Sequence, residues 1–385
     1  MSLKRSNRLS LDSRMPHRPS TSRWSSHEAQ ITSDQVELLR RFSRRIINAG
    51  VNQLRKEFDQ IEGLTGPSYE DAATKNQSKC RYRDVVCWED SRVKLNNSKN
   101  DFIHANMVQH STLSNRFICS QGPLDHTVTD FWEMIWEQKI KLVIMLCQVM
   151  EEKRNKCAQY WPKHAGQSRQ YGPFVVKNEM TDQTELGLKR CKLIVQYHGE
   201  ERTIQHVQWT AWKDRKAPKG STMAFRLISM ARKNSDSPTV VHCSAGVGRT
   251  GTLVLLAMLR GSSLKSDSPN TMKLLRDLRS QRGQCIQTED QYLYLHLAML
   301  QYAVKSRAVT IEEVAGFVHD YEAYVFNSGV SRRSLMSQLI VMSPKENQIQ
   351  KEEFDERGKS FRVSFHSVPI QKLMQDLSPF RIRER

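Results

Sequence analysis

The sequence predicts an α/β fold of the mixed α+β kind, with a central mixed β-sheet flanked by helices. Short strand-like runs alternate with amphipathic helical patterns from Cys80 to about Tyr302, and this alternation favours a sheet covered by helices. Of the 385 residues, 38% are hydrophobic and 26% are charged, as is usual for a globular protein. A chain of this length can bury a stable core without disulfides or metals.

The ordered part of the chain is expected to begin with two helical segments. Ser33 is the predicted N-cap, and apolar residues recur at helical spacing over 36–47. A second amphipathic segment begins at Val51 and ends at Gly63. Residues 64–79 are predicted to form a loop.

The middle of the chain supplies the predicted sheet and its covering helices. The predicted strands are FIHANMV (102–108), FICS (117–120), KLVIMLC (141–147), FVVKNEM (174–180), CKLIVQYH (191–198), IQHVQWTAW (204–212) and TVVHC (239–243). The predicted helices are TVTDFWEMIWEQ (127–138), STMAFRLISMARK (221–233), GTLVLLAMLRG (251–261), TMKLLRDLRSQ (271–281) and TEDQYLYLHLAMLQYAV (288–304).

Composition divides the chain into three regions. Residues 1–32 are rich in Ser and Arg without apolar periodicity, so they are predicted to be a disordered basic tail. Residues 33–304 are predicted to form one domain. Residues 305–385 are predicted to be an extension with one helix, around Ile311–Tyr324, followed by flexible polar sequence.

The charge of the chain suits a phosphate-binding protein better than a nucleic-acid-binding one. The net charge is +18 and the pI is about 9.6, but the basic residues are scattered and no recognised nucleic-acid module occurs. A basic field favours a dianionic phosphate substrate, and it gives weak attraction to acidic partners or membrane surfaces.

The chain has the expected features of a protein of the cytoplasm, or alternatively of the nucleus. No apolar run approaches the roughly 20 residues of a transmembrane helix, and the N-terminus has no apolar signal region. The eight cysteines form no C-x-x-C pair and have no zinc spacing, and an intracellular chain would keep them reduced. No metal or other cofactor is expected.

The segment Thr239–Thr252 joins a β run to an apolar helix through a loop of small residues. In such a setting, inward-facing backbone N–H groups and the helix N-terminus bind an anion. Cys243 lies where these donors favour the reactive thiolate, and Arg249 can hold two phosphate oxygens in bidentate fashion. A bare cysteine and arginine at this spacing is also compatible with a buried structural cysteine beside a helix cap.

The full string HCSAGVGRTG, residues 242–251, closely resembles the active-site loop of the protein tyrosine phosphatases. The resemblance implies the highly twisted sheet of that family, with Cys243 as the nucleophile and Arg249 as the phosphate clamp. Thr250 would donate its hydroxyl to the sulfur, and His242 would support the thiolate, although His242 could equally be a core histidine. The loop residues that would bind the phosphate are Ser244, Ala245, Gly246, Val247 and Gly248.

The family also carries a general acid in a Trp-Pro-Asp loop upstream of the nucleophile. Here Trp212 matches the hinge tryptophan and Asp214 matches the acid. Lys213 replaces the proline, which removes a φ restraint and lowers the expected population of the closed loop. Lys213 and Arg215 would also favour the carboxylate over the protonated acid. The alternative is that Asp214 is an ordinary surface aspartate.

Three further segments extend the resemblance. Tyr82 would form the aromatic wall of a pocket deep enough for phosphotyrosine, and Asp84 would accept backbone N–H groups of the substrate. Glu151 would brace Arg249, with Glu152 as the alternative. The glutamines that would position the hydrolytic water and bind substrate are Gln287 and Gln291.

The resemblance covers about residues 55–303, and it implies that residues 33–304 are a catalytic domain of the cytoplasmic, non-receptor type acting on phosphotyrosine-containing proteins. The altered acid loop supports an alternative, a phosphotyrosine-binding pseudophosphatase or scaffold of low activity. A dual-specificity or lipid phosphatase is disfavoured by Tyr82 and by the lack of lysine in the loop 243–249. The physiological substrate, the roles of both extensions and the oligomeric state do not follow from the sequence.

Overall fold

The computed structural model describes residues 31–61, 71–183, 187–266 and 269–327, together with two short strands at 352–354 and 360–362. The predicted disordered tail lies outside this part of the chain except for its last two residues. The extension beyond 327 also lies outside it, apart from the two strands.

Seven α-helices are present in the described residues. Their bounds are α1 (Ser33–Asp59), α2 (Val128–Glu137), α3 (Thr222–Lys233), α4 (Gly248–Ser263), α5 (Thr271–Arg279), α6 (Glu289–Lys305) and α7 (Ile311–Asn327). All the helices predicted for the middle of the chain are confirmed, and so is the helix near Ile311. Short 3₁₀ turns lie at Thr74–Lys79, Glu89–Ser91 and Asp125–Thr127, the first of them inside the predicted loop 64–79.

The N-terminal helical region differs from the prediction in two ways. Thr32 is the N-cap rather than Ser33, because its Oγ1 accepts from the Gln35 N–H at 3.3 Å while the Gln35 side chain accepts from the Thr32 N–H at 3.1 Å. This reciprocal pair is a capping box. The two predicted segments form one helix, α1, interrupted where Gly50 has φ +67°. α1 ends at Asp59, before the predicted end at Gly63.

The strands include all the predicted ones and several short ones that the sequence analysis missed. Their bounds are β1 (Arg92–Lys94), β2 (Phe102–Val108), β3 (Phe117–Ser120), β4 (Leu142–Met145), β5 (Met150–Glu151), β6 (Arg154–Asn155), β7 (Ser168–Tyr171), β8 (Phe174–Asp182), β9 (Leu188–Tyr197), β10 (Glu200–Trp209), β11 (Thr239–His242), β12 (Glu352–Phe354) and β13 (Ser360–Arg362).

Nine strands form one mixed sheet in the order β1-β2-β3-β11-β4-β10-β9-β8-β7. The four central strands, β3, β11, β4 and β10, are parallel, and the outer pairs are antiparallel. β3, β4 and β11 are buried at every residue, as expected for parallel strands covered on both faces. The predicted mixed sheet flanked by helices is therefore confirmed.

Helices from both ends of the chain pack against α6. α6 is buried over nearly its whole length and contacts α1, α4 and α7. Leu39 and Phe42 of α1 and Val314 and Phe317 of α7 belong to the same apolar core as the sheet. None of the helices in the described part of the chain has both the length and the apolar character that a membrane span requires.

Candidate functional site

Residues 243–249, which lead from the end of β11 into the first turn of α4, surround the Cys243 sulfur. The Gly246 N–H donates to Cys243 Sγ at 3.2 Å. Gly246 has φ +75°, and a Cβ there would lie 2.2 Å from the Ser120 carbonyl oxygen, so only glycine fits this position. We call this segment the phosphate loop, since its small residues let backbone donors face one point.

Arg249, in the first turn of α4, is buried and held by charged partners. Its two terminal nitrogens lie 2.7 and 3.0 Å from the two carboxylate oxygens of Glu151. Nη1 also donates to the Trp212 carbonyl at 2.9 Å. Burial opposes the charge, but the Glu151 carboxylate and the Cys243 thiol group more than offset it and raise the pKa of Arg249. Arg249 Nε has no partner among the described residues, so a donor remains for a bound anion.

Glu151, rather than Glu152, is the residue that pairs with this guanidinium. Glu151 ends β5, which forms a two-stranded hairpin with β6, and we call residues 150–155 the glutamate hairpin. The Gln148 N–H donates to Glu151 Oε1 at 2.9 Å, which orients the carboxylate. Glu152 has φ +48° and is exposed at the turn.

Residues 210–218 form the acid loop, and Asp214 faces the phosphate loop from it. Asp214 Oδ1 lies 3.0 Å from Arg249 Nη2, and Oδ2 lies 2.6 Å from Lys156 Nζ. Burial raises the pKa of Asp214, but the charges of Arg249 and Lys156 outweigh it, so the pKa lies below its ordinary value. From the sequence, Lys213 and Arg215 are expected to have this effect, but both side chains are exposed. The cations that contact Asp214 are Arg249 and Lys156.

The acid loop is held by a contact within itself and by contacts with the start of α6. Trp212 is 1% exposed, and its Nε1 donates to the Lys216 carbonyl at 2.7 Å. The Thr288 hydroxyl donates to the Arg215 carbonyl at 3.1 Å, and Lys216 Nζ lies 3.1 Å from Asp290. These contacts join the acid loop to the start of α6.

The segment that resembles a phosphotyrosine-recognition loop lies beside the phosphate loop. The Tyr82 hydroxyl lies 2.8 Å from Ser244 Oγ, and Ser244 Oγ donates to the Lys156 carbonyl at 3.0 Å. The Tyr82 hydroxyl is therefore the donor of the first bond. Asp84 is exposed, and its carbonyl accepts from Gln284 Nε2 at 2.7 Å.

Gln287, just before α6, and Gln291, in its first turn, lie against the phosphate loop. Gln291 is fully buried and its Oε1 accepts from the Gln287 N–H at 2.9 Å. A Cβ at Gly248 would lie 2.4 Å from Gln287 Oε1, so the glutamine reaches the loop backbone. The hydroxyl of buried Thr250 and the Nε2 of Gln291 have no partner in the described chain. The expected hydrogen bond from Thr250 to the Cys243 sulfur is therefore not formed in this structure.

His242 belongs to a buried hydrogen-bond chain behind the nucleophile. Its Nε2 lies 2.8 Å from the Tyr160 hydroxyl, which lies 2.8 Å from His206 Nε2. Burial lowers the pKa of His242 to about 4, so the ring is neutral near pH 7. The core-histidine interpretation and the supporting role of His242 are both compatible with this position.

Three neighbours of the site were not found from the sequence. They are Lys156, His206 and Arg282. Arg282 is fully buried and donates to the carbonyls of Ala245 and Gly246 at 3.0 and 3.1 Å, bracing the phosphate loop from behind. The string KCAQYWP contains Lys156, but nothing local relates any of the three to the loop.

No group of three or more His, Cys, Asp or Glu side chains in the described ranges is arranged to hold a metal ion. The donors at the phosphate loop are instead the Gly246 N–H beside the Cys243 sulfur and the Arg249 guanidinium, which suit an oxyanion.

Comparisons with known proteins agree with this geometry. Residues 76–301 match the family model described as protein-tyrosine phosphatase. The chain is 36% identical over 251 residues to tyrosine-protein phosphatase 69D of Drosophila melanogaster, covering 60% of this chain and 17% of that protein. It is 35% identical over 242 residues to human tyrosine-protein phosphatase non-receptor type 2, covering 60% of this chain and 57% of that protein. The chain thus spans less than two thirds of the length of either relative.

A comparison with a solved structure indicates the same family. The catalytic domain of human protein tyrosine phosphatase non-receptor type 18 superposes with a TM-score of 0.63 at 27% identity, covering 69% of this chain and 99% of that one. The predicted resemblance is confirmed: with its family-model match and its mixed sheet leading into a cysteine–arginine phosphate loop, the chain belongs to the protein-tyrosine phosphatase family.

Proposed function

We propose that this chain hydrolyses phosphotyrosine in proteins through a phosphocysteine intermediate, without a metal or cofactor. The observation that carries the proposal is the convergence of three groups. The Cys243 sulfur accepts the Gly246 N–H, the Arg249 guanidinium is paired with Glu151, and Asp214 lies 3.0 Å from the same guanidinium. A nucleophile, an oxyanion clamp and a proton donor are the groups that cleavage of a phosphate monoester requires.

In the first step, the Cys243 thiolate attacks phosphorus and the bond from phosphorus to the tyrosyl oxygen breaks. The proton of the Asp214 carboxyl passes to the leaving phenolate. Arg249 and the loop N–H groups hold the three non-bridging oxygens while their charge redistributes. Arg249 Nε, which has no partner in the described chain, is available to one of these oxygens.

In the second step, water attacks the phosphocysteine and the bond from sulfur to phosphorus breaks. Gln287 positions this water and the Asp214 carboxylate takes its proton. The Thr250 hydroxyl stabilises the departing thiolate; it is buried without a partner in the described residues. Gln291 supports Gln287 through the bond to its backbone N–H.

Selectivity for phosphotyrosine is assigned to the segment beside the phosphate loop. The Tyr82 ring is anchored through its hydroxyl to Ser244 and forms one wall of the pocket. A phosphoserine side chain is too short to carry its phosphate past this wall to Cys243. The exposed Asp84 carboxylate would accept backbone N–H groups of the substrate.

A second candidate function is a phosphotyrosine-binding protein with slow turnover. It is favoured by the two ion pairs of Asp214, which stabilise the carboxylate and deplete the protonated acid needed in the first step. The replacement of proline by Lys213 favours the same candidate.

Turnover of an aryl phosphate in EDTA distinguishes the two candidates. The enzyme proposal expects hydrolysis by the wild type, its loss in Cys243→Ser, and a lower kcat with retained phosphopeptide binding in Asp214→Ala. Absence of wild-type turnover with intact phosphotyrosine-peptide binding would establish the second candidate instead. Peptides bearing phosphoserine or phosphothreonine should not be hydrolysed.

We also infer that residues 33–304 are the catalytic domain and that the protein acts in the cytoplasm, or alternatively in the nucleus, in signal transduction. All eight cysteines are unpaired in the structure, which suits a reducing compartment. Fractionation of cells that produce the tagged full chain tests the location, and recovery in the secreted fraction would contradict it.

A further inference from the structure

A cavity of about 300 Å³, apart from the phosphate loop, lies where the stems of the two loops of the site meet. Gln148 and Met150, at the stem of the glutamate hairpin, line it on one side. Gln208 and Thr210, which lead into the acid loop, line it on another. Gln148 Nε2 donates to the Thr210 carbonyl at 3.3 Å and so joins the two stems.

A buried hydrogen-bond acceptor lies in the lining. His242 Nδ1 is 3.2 Å from the Cys243 carbonyl and therefore carries hydrogen, so its Nε2 accepts from the Tyr160 hydroxyl. The Tyr160 oxygen must then accept from His206 Nε2–H. His206 lines the cavity, is 1% exposed, and its Nδ1 is left as a lone-pair acceptor without a partner in the described chain.

The lining glutamines add further acceptors. Gln148, Gln159 and Gln208 each donate Nε2 to a backbone carbonyl, at 3.3, 2.7 and 2.9 Å. Their amide oxygens are the atoms left to accept hydrogen bonds. A ligand that presents several hydroxyl groups would match these oxygens and His206 Nδ1.

The charged groups of the lining are cationic. Lys163 and Lys189 line the cavity, and no Asp or Glu does so among the described residues. An adjoining cavity of about 380 Å³ shares Gln159, Trp161 and Lys163 with it and adds Arg169. The cations favour a ligand that also carries a negative charge.

We propose that this cavity binds a small polyhydroxylated anion of the sugar-acid or sugar-phosphate class, with its hydroxyls on the glutamine and histidine acceptors and its anionic group at the two lysines. The volume is at the lower end of the range for small-molecule sites, which suits a ligand the size of a single sugar. The site differs from the phosphate loop in its lining and its chemistry. Because it contacts the stems of both loops, its occupant would bear on the positions of Glu151 and Asp214.

Calorimetric titration of the full chain with D-gluconate tests the proposal, with a non-hydrolysable phosphonate analogue of a phosphotyrosine peptide saturating the phosphate loop. One binding event is expected. Sorbitol lacks the anionic group and hexanoate lacks the hydroxyls, so each should bind more weakly than gluconate. Sorbitol 6-phosphate is titrated in parallel, and the tighter of the two anions identifies the natural class. If neither anion binds the protein saturated with the phosphonate peptide, the proposal is overturned.

Variants locate the binding. The double variant Lys163→Gln/Lys189→Gln should weaken gluconate binding about tenfold, while Lys99→Gln/Lys177→Gln, an equal charge change at exposed positions outside the lining, should leave it unchanged. Gluconate should also slow alkylation of Cys191, which lines the cavity, but not of Cys80, which does not. Equal affinities in the two double variants, or equal protection of the two cysteines, would place the ligand elsewhere and overturn the proposal.

Discussion

At the scale of single residues, Arg249 is a buried guanidinium whose charge is balanced by carboxylates rather than by water. Its side chain is fully buried, and that of Glu151 is 12% exposed. Removing one partner of such a pair leaves an uncompensated buried charge, which typically costs about 3–5 kcal/mol. Glu151 therefore contributes both to the stability of the fold and to the orientation of the Arg249 guanidinium.

Replacement Glu151→Gln should lower kcat/KM for an aryl phosphate by about tenfold to a hundredfold, because the guanidinium loses its bidentate anchor. Thermal unfolding should also occur at a lower temperature. The neighbouring change Glu152→Gln is the control, since Glu152 is exposed and should affect neither measurement. Equal losses in both variants would show that Glu151 has no special relation to Arg249.

Lys156 should set the alkaline limb of the pH–rate profile. The Lys156 and Arg249 charges hold the pKa of Asp214 below its ordinary value against the effect of burial. Removing one cation disfavours the carboxylate, so Lys156→Met should raise that pKa and move the falling limb of kcat to higher pH, with severalfold more activity at pH 7.5. The control Lys213→Met, at an exposed side chain, should leave the limb in place; a shift there instead would restore the assignment made from sequence.

The sequence identified the residues with their own motifs but not the contacts between distant segments. Cys243, Arg249 and Glu151 stand in recognisable strings, and the structure brings them together. Lys156 lies 58 positions from Asp214 in the sequence. Only the fold shows that Lys156, and not the adjacent Lys213, contacts this carboxylate. Sequence adjacency is a poor guide to electrostatics in a loop, because consecutive side chains point in different directions.

At the scale of the elements, the phosphate loop is shaped by close backbone packing. Gly246 has a positive φ and lies against the Ser120 carbonyl at the end of β3, while Arg282 holds two loop carbonyls from the other side. The loop therefore has this shape without a ligand, and under the proposed function its donors would not need to reorganise when an anion binds.

Replacement Gly246→Ala should abolish phosphatase activity and reduce stability, because the new Cβ would lie 2.2 Å from the Ser120 oxygen. The matched control is Gly199→Ala in the turn between β9 and β10. Gly199 also has a positive φ, +84°, but no atom lies within 4 Å of its Cβ position, so it should cost about 1 kcal/mol of stability and no activity. Circular dichroism melts and aryl phosphate kinetics measure both; an active Gly246→Ala enzyme would contradict the packing argument.

The strands that the sequence missed are those without an apolar signal. β7 is SRQY with three exposed residues, and β5 and β6 have two residues each. Such strands exist because a neighbouring strand offers hydrogen bonds, which depends on tertiary structure. The long buried strands and helices could be predicted because burial itself dictates their apolar patterns.

At the scale of the whole molecule, four buried histidines link stability to pH. Burial lowers the pKa of His104 and His206 to about 3, and that of His242 and His296 to about 4. In the unfolded chain the histidine pKa values are about 6.5. Between the folded-state and unfolded-state pKa values, the unfolded chain therefore binds more protons than the folded protein. The free energy of unfolding must therefore fall as the pH falls below about 6.5.

Urea unfolding at pH 7.5, 6.0 and 5.0 should show this loss, with a slope of at most about 1.4 kcal/mol per pH unit for each histidine. This window lies above the range in which carboxylates titrate. His296→Gln should flatten the dependence, whereas His198→Gln, at an exposed position, should not. Unfolding free energies that are constant from pH 7.5 to 5.0 would show that these rings are not neutral in the folded protein.

The packing of α1 and α7 against α6 bears on which fragments of the chain can be studied alone. Tyr324 of α7 donates to Asp290 at 2.8 Å, and Arg55 of α1 pairs with Glu289 at 2.5 Å; both acidic residues lie two or three positions beyond Gln287. A fragment cut to the family match, residues 76–301, would strip both helices from α6 and expose its apolar faces. We expect such a fragment to aggregate, whereas residues 31–327 should remain soluble and active; size-exclusion chromatography of the two fragments would decide between these outcomes.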